Sequence, residues 1–105
     1  MSEARIVLST AGSAEEARRI AQALVERRLA ACVNIVPQIE SVYRWQGKVE
    51  SATEWLLIIK TQVTAFERVR DAIRELHSYD LPECVMLEIG AGSEQYLKWI
   101  ADNVT

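Results

Sequence analysis

Two long apolar strands joined by a two-residue turn constrain this chain more than any other feature. Cys32 to Trp45 reads as one extended run. Val33, Ile35, Ile39, Tyr43 and Trp45 share one parity, and Asn34, Gln38, Glu40 and Arg44 share the other. Gln46-Gly47 follows as a turn in which Gly47 can supply a positive φ. Lys48 to Thr61 then returns as the partner strand. At about 14 residues each and ~3.3 Å per residue, the hairpin spans roughly 46 Å. A domain of ~100 residues has a radius of gyration of only ~13 Å. The hairpin must therefore project beyond its own domain, or bend. Pro37 lies inside it and donates no ladder hydrogen bond, so its strand is expected at a sheet edge or with a bulge.

The flanking segments supply the rest of a fold. Ala4 to Thr10 is a short β-branched strand. Ser13-Ala14-Glu15-Glu16 fits a capping box and opens a helix over Ser13 to Leu29, with Ala17, Ile20, Ala21 and Leu24 inward. Thr64-Ala65-Phe66-Glu67 fits a second capping box, followed by a stripe of Phe66, Val69, Ile73 and Leu76. Pro82 and its polar neighbours make His77 to Glu83 a loop. Cys84 to Ile89 reads as the fourth strand, and Ser93 opens a last helix with Leu97, Ile100, Ala101 and Val104 on one face. The order strand, helix, strand, strand, helix, strand, helix predicts an α+β chain. It is a ferredoxin-like double βαβ with a long protruding hairpin and a C-terminal helix. Its 105 residues suit one domain spanning 1–105.

Such a protomer leaves apolar surface uncovered. The outer hairpin carries Tyr43, Trp45 and Val49. Trp55 to Ile59 is apolar at both parities, and two helices cover only one sheet face. The other face bears either Trp55, Leu57 and Ile59 or Leu56 and Ile58, and needs a cover. Closed self-assembly meets that need, with Tyr43, Trp45 and Trp55 as interface residues. A last helix folded under the sheet is the alternative.

Composition removes several function classes. A net charge of −3 argues against a basic face for nucleic acid. RNA-recognition domains share this strand order, but they need stacking aromatics on the central strands, and the first strand here has none. No apolar run approaches the ~18 residues of a membrane span. The N-terminus lacks the basic flank and apolar stretch of a signal peptide, so a cytoplasmic protein is expected. Two cysteines, 52 residues apart, are neither a disulfide scaffold nor a zinc spacing. They start strands at opposite edges of the expected sheet, beyond the ~7 Å reach of a disulfide.

Few residues carry chemistry. His77 is the only histidine and stands at a helix C-terminus, where the dipole favours a cation and where it can stabilise the turn, ligate a metal or act as a general acid or base. Cys84 follows seven residues later and Glu83 lies between them; a soft Cys/His pair with a carboxylate suits copper or zinc. Four protein ligands are usual for structural zinc, so this set would be incomplete and its metal weakly held. Glu54 and Lys60 lie near the core and can pair. No Ser/His/Asp arrangement, H-E-x-x-H, C-x-x-C, G-x-G-x-x-G or phosphate-binding loop is present, so neither an enzyme nor a required cofactor is expected.

Five segments carry a family resemblance: A-A-C-V-N-I-V-P at 30–37, S-V-Y-R-W-Q-G-K at 41–48, I-I-K-T at 58–61, H-S-Y-D-L-P-E at 77–83 and G-S-E-Q-Y-L-K-W-I at 92–100. Together they resemble the CutA, or divalent-cation tolerance, family over nearly the whole chain. The resemblance implies a ferredoxin-like protomer assembled as a homotrimer through the long hairpin. It also implies a role in tolerance of divalent metal ions, copper among them. In similar members the copper ligands are a cysteine ending the first strand and two adjacent histidines. Those places hold Ser9, Leu76 and His77 here, so only the histidine remains. Ser78 stands where the family has proline. A trimeric small-ligand sensor of the PII type, using clefts between subunits, is the alternative reading. PII proteins, however, carry a long loop where this chain has only Gln46-Gly47.

Overall fold

In a computed structural model, which describes residues 2–105, the chain forms β1 (Ala4–Ala11), α1 (Ala14–Glu26), β2 (Cys32–Trp45), β3 (Lys48–Gln62), α2 (Phe66–Leu76), β4 (Val85–Glu88) and α3 (Glu94–Asp102). The four strands make one antiparallel sheet in the order β2-β3-β1-β4. This is the ferredoxin-like arrangement expected from the pattern. The hairpin turn takes positive φ at both Gln46 (50°) and Gly47 (82°), the primed geometry that matches strand twist. The longest dimension is 44 Å against 26 and 22 Å for the others, so the hairpin does project.

Element ends follow local chemistry more closely than hydrophobic periodicity. The Ser13 hydroxyl accepts from the Glu16 amide at 3.1 Å, capping α1 as expected. The reciprocal bond of the capping box does not form, because the Glu16 carboxylate turns to the 77–83 loop. The helix stops at Glu26 rather than Leu29: Arg28 takes φ 59°, and the Leu29 amide returns to the Leu24 carbonyl at 2.9 Å. The second capping box is absent. Thr64 lies inside a 3₁₀ turn over Val63–Ala65, and α2 starts after Ala65 with no side-chain cap. The fourth strand is shorter than Cys84 to Ile89 by a residue at each end.

The main core lies between the sheet and the α1/α2 layer. Val7, Leu57 and Ile59 meet Ile20, Leu24 and Ile73, all fully buried. Trp55 shares the parity of Leu57 and Ile59 and packs against this helix-side cluster. It therefore does not stand on the uncovered face with Leu56 and Ile58. α3 packs against the opposite side at one end of the sheet, where Ile100 joins Ala4 and Ala31. The last helix thus covers part of the second face, and Leu56, Ile58, Ile6 and Leu8 remain only half-buried beyond it.

Pro37 sits both at an edge and at a bulge. Val36 pairs with Leu56, but Ile39 pairs with Glu54, so β2 carries one extra residue between them. Gln38 takes φ 56° to accommodate it. A one-residue shift changes the side to which every later side chain points. Val33 and Ile35 pair with Ile59 and Leu57 on the helix side. Beyond the bulge, Ile39, Tyr43 and Trp45 pair with Glu54, Glu50 and Lys48 and share the other side. The single apolar stripe of the sequence is two stripes on opposite faces.

Candidate functional site

The end of α2, the end of β1 and the 77–83 loop meet around a buried polar cluster. His77 closes α2, its amide donating to the Ile73 carbonyl at 3.0 Å. Its side chain is fully buried. Nε2 lies 2.6 Å from the Thr10 carbonyl oxygen, and the Tyr79 amide donates to Nδ1 at 3.0 Å. A carbonyl only accepts and an amide N–H only donates, so the ring is the neutral Nε2–H tautomer with both nitrogens engaged.

Glu16 reaches the same loop from α1. Its Oε2 accepts from the Ser78 amide at 2.9 Å and lies 3.5 Å from Arg19; its Oε1 is 3.8 Å from His77 Nδ1. Burial raises the Glu16 pKa, but the Ser78 hydrogen bonds, the electrostatic influence of the nearby His77 and the Gly12 amide outweigh it, and the carboxyl sits below its ordinary value. The Tyr79 ring lies tilted by 43° against His77, with centroids 4.5 Å apart, and its hydroxyl donates to Glu54 Oε2 at 2.8 Å. Burial, and then the Glu54 carboxylate, raise the phenol far above its usual range, so it stays a donor. Gly12 makes the approach possible: a Cβ there would stand 3.0 Å from the Tyr79 oxygen.

Outside this cluster a groove of about 760 Å³ runs between the outer hairpin and the loop. Tyr43, Trp45, Glu54, Tyr79, Leu81 and Glu83 are among its walls. A second depression of about 520 Å³ lies beyond the loop, where Cys84 sits with Arg70 and Arg74. Burial raises the Cys84 thiol more than the two guanidinium groups lower it.

The three donors nominated from sequence are therefore not gathered. His77 lines neither depression, Glu83 faces the first and Cys84 the second. Among the described residues, no group of three or more His, Cys, Asp or Glu is placed to hold a metal ion. Both cysteines are free. Lys60 bonds Asn34, not Glu54, which is taken by Tyr79. Tyr79, Thr10 and Gly12 were not nominated from sequence, and Glu54 was nominated only as a near-core partner for Lys60. The loop motif H-S-Y-D-L-P marked the neighbourhood, but the Glu54 partner lies 25 residues away from Tyr79 and leaves no local signal.

Comparison with known proteins agrees with this architecture. The profile of the family described as "CutA1 divalent ion tolerance protein" matches residues 5–103. The Divalent-cation tolerance protein CutA of Thermus thermophilus is 51% identical over 98 residues, covering 93% of this chain and 95% of that one. Protein CutA, chloroplastic, of Arabidopsis thaliana is 45% identical over 93% of this chain, which spans only 54% of that longer protein. Among solved structures, the Thermus thermophilus divalent cation tolerance protein superposes with a TM-score of 0.95 at 49% identity, over 97% of this chain and 99% of that one. The Archaeoglobus fulgidus protein, described as periplasmic, gives 0.94 at 44% identity over 97% and 99%. No helix of the described residues is long and apolar enough to cross a membrane. A profile match over nearly the whole length, with the same fold at close to half identity, places this chain in the CutA1 divalent ion tolerance family.

Proposed function

We propose that the protein serves divalent-cation tolerance as a homotrimer that takes up divalent ions weakly, copper first, and catalyses no reaction. The observation that carries the assembly is the apolar surface left outside the helix side. Val85 and Leu87 pair with Leu8 and Ile6 across that face and are each 47% exposed. Leu56 and Ile58 continue it, and on the opposite side of the arm Val42 and Val49 are exposed by about two-thirds (67% and 65%). Patches of this kind mark partner surface, and a closed ring of identical chains covers them symmetrically. Tyr43 and Trp45 remain proposed interface residues; Leu56 and Ile58 take the place first given to Trp55.

The metal reading is supported by the family and limited by the geometry. His77 can ligate only by giving up the Thr10 or Tyr79 hydrogen bond. Glu83 and Cys84 offer an oxygen and a sulfur, with water or a second copy completing the set. Copper comes first by the usual affinity order. Native mass spectrometry of protein purified without added metal tests both parts. It should show three chains of 11.9 kDa and no retained ion. A folded monomer at micromolar concentration overturns the assembly. In calorimetric titration, Cu²⁺ should bind wild type weakly and Cys84→Ser more weakly still; equal isotherms remove Cys84.

A further inference from the structure

We propose that the groove between the outer hairpin and the Tyr79–Glu83 loop binds a small organic cation, an ammonium or guanidinium group carried on an apolar body. Its floor is Glu54, only 8% exposed. One carboxylate oxygen accepts the Tyr79 hydroxyl at 2.8 Å. The other, Oε1, has no hydrogen-bond partner among the described residues and is not sealed from solvent, so it opens to the groove that the side chain lines. A carboxylate oxygen so placed at the base of a groove is free to accept from a charged donor.

The walls suit the same ligand. Tyr43 and Trp45, exposed by 41% and 43%, and Tyr79 present aromatic rings. A cation is attracted to such faces within ~6 Å of the ring centroid. Leu81 and Pro82 supply apolar contact, while Asp80 and Glu83 add negative charge. No lysine, arginine or histidine lines the groove, so an anion has no counter-charge there.

Size and ligand placement separate an organic cation from a metal ion. The 760 Å³ volume lies within the ~300–1,000 Å³ of small-molecule sites. A metal needs at least four converging donors, about six for a hard ion. No group of three is so placed among the described residues. One ammonium needs a single buried carboxylate and apolar surroundings. Only Glu83 is shared with the proposed metal ligands, and the floor at Glu54 is not. A second copy packed on the arm would close its rim at Tyr43 and Trp45 without supplying the floor.

Phenethylamine, 2-phenylethanol as its neutral counterpart, and the native assembly in chelator make the test. Binding is read by calorimetry and by the indole resonance of Trp45. The amine should bind saturably and shift that resonance, and the alcohol should bind at least tenfold more weakly. Glu54→Gln should lose tenfold or more. Trp45→Leu keeps an apolar side chain at a proposed interface position and should leave the protomer folded and the assembly mass unchanged while weakening binding several-fold, so a Glu54→Gln variant that fails to fold leaves the proposal testable. Amine and alcohol binding alike, no binding to wild type, or full affinity in folded Glu54→Gln each overturn it. Amine binding that appears only in Arg44→Ala or Lys48→Ala also overturns it, since a side chain of a second copy would then be the resident cation.

Discussion

His77 shows how a residue of catalytic type can be used for construction. Its ring joins β1 to the loop through Thr10 and Tyr79, and removing it strands the part-buried Thr10 carbonyl while the more exposed Tyr79 amide can turn to water. His77→Ala should therefore destabilise the protein by about 2 kcal/mol, the cost of one unsatisfied group, measured by urea unfolding. Glu16 gives a pH signature. Its folded pKa lies below the ordinary 4.5, so its stabilisation is fully present above pH 4.5 and is lost as pH falls through the lowered value. Stability curves of wild type and Glu16→Gln should run parallel above pH 4.5 and converge below it. Curves that stay parallel into strong acid would mean the carboxylate contributes nothing. The turn-stabilising role of His77 was legible from its place at a helix end, whereas the role of Glu16 was not. The S-A-E-E run identified Glu16 as half of a capping box, and only the tertiary position of Ser78 redirects its side chain.

Among the elements, β3 separates two kinds of damage. Trp55→Asp places a charge against the helix-side core and should destabilise the protomer by several kcal/mol. Ile58→Asp lies on the opposite face and should dissociate the assembly while leaving a folded chain, seen by light scattering with circular dichroism. An unchanged mass for Ile58→Asp would remove that face from the interface. The hairpin was readable almost to the residue, since Cys32–Trp45 and Lys48–Gln62 follow from β-rich runs around Gln46-Gly47. Which face each residue joins was not readable. Pro37 announced a missing amide, but a proline is satisfied by an edge or by a bulge, and here both occur. The start of α2 was misplaced for a related reason: T-A-F-E has the letters of a capping box, yet the 3₁₀ turn moves Thr64 off the capping position.

At the scale of the molecule, the protein is expected to hold together through apolar burial and strand pairing without help from a metal ion. A chelator should leave the melting temperature unchanged; a fall of several degrees would mean an ion carries folding free energy. The bulge gives the molecule a division of labour. Because the extra residue at Pro37-Gln38 shifts the alternation by half a period, the two halves of one strand answer to different surroundings. The inner half is fixed by the helices above it. The outer half is governed by whatever meets the arm, so its side chains can be exchanged in a folded protomer while those before the bulge cannot. Register at a single edge position thus separates the packing demands on the arm from those on the core.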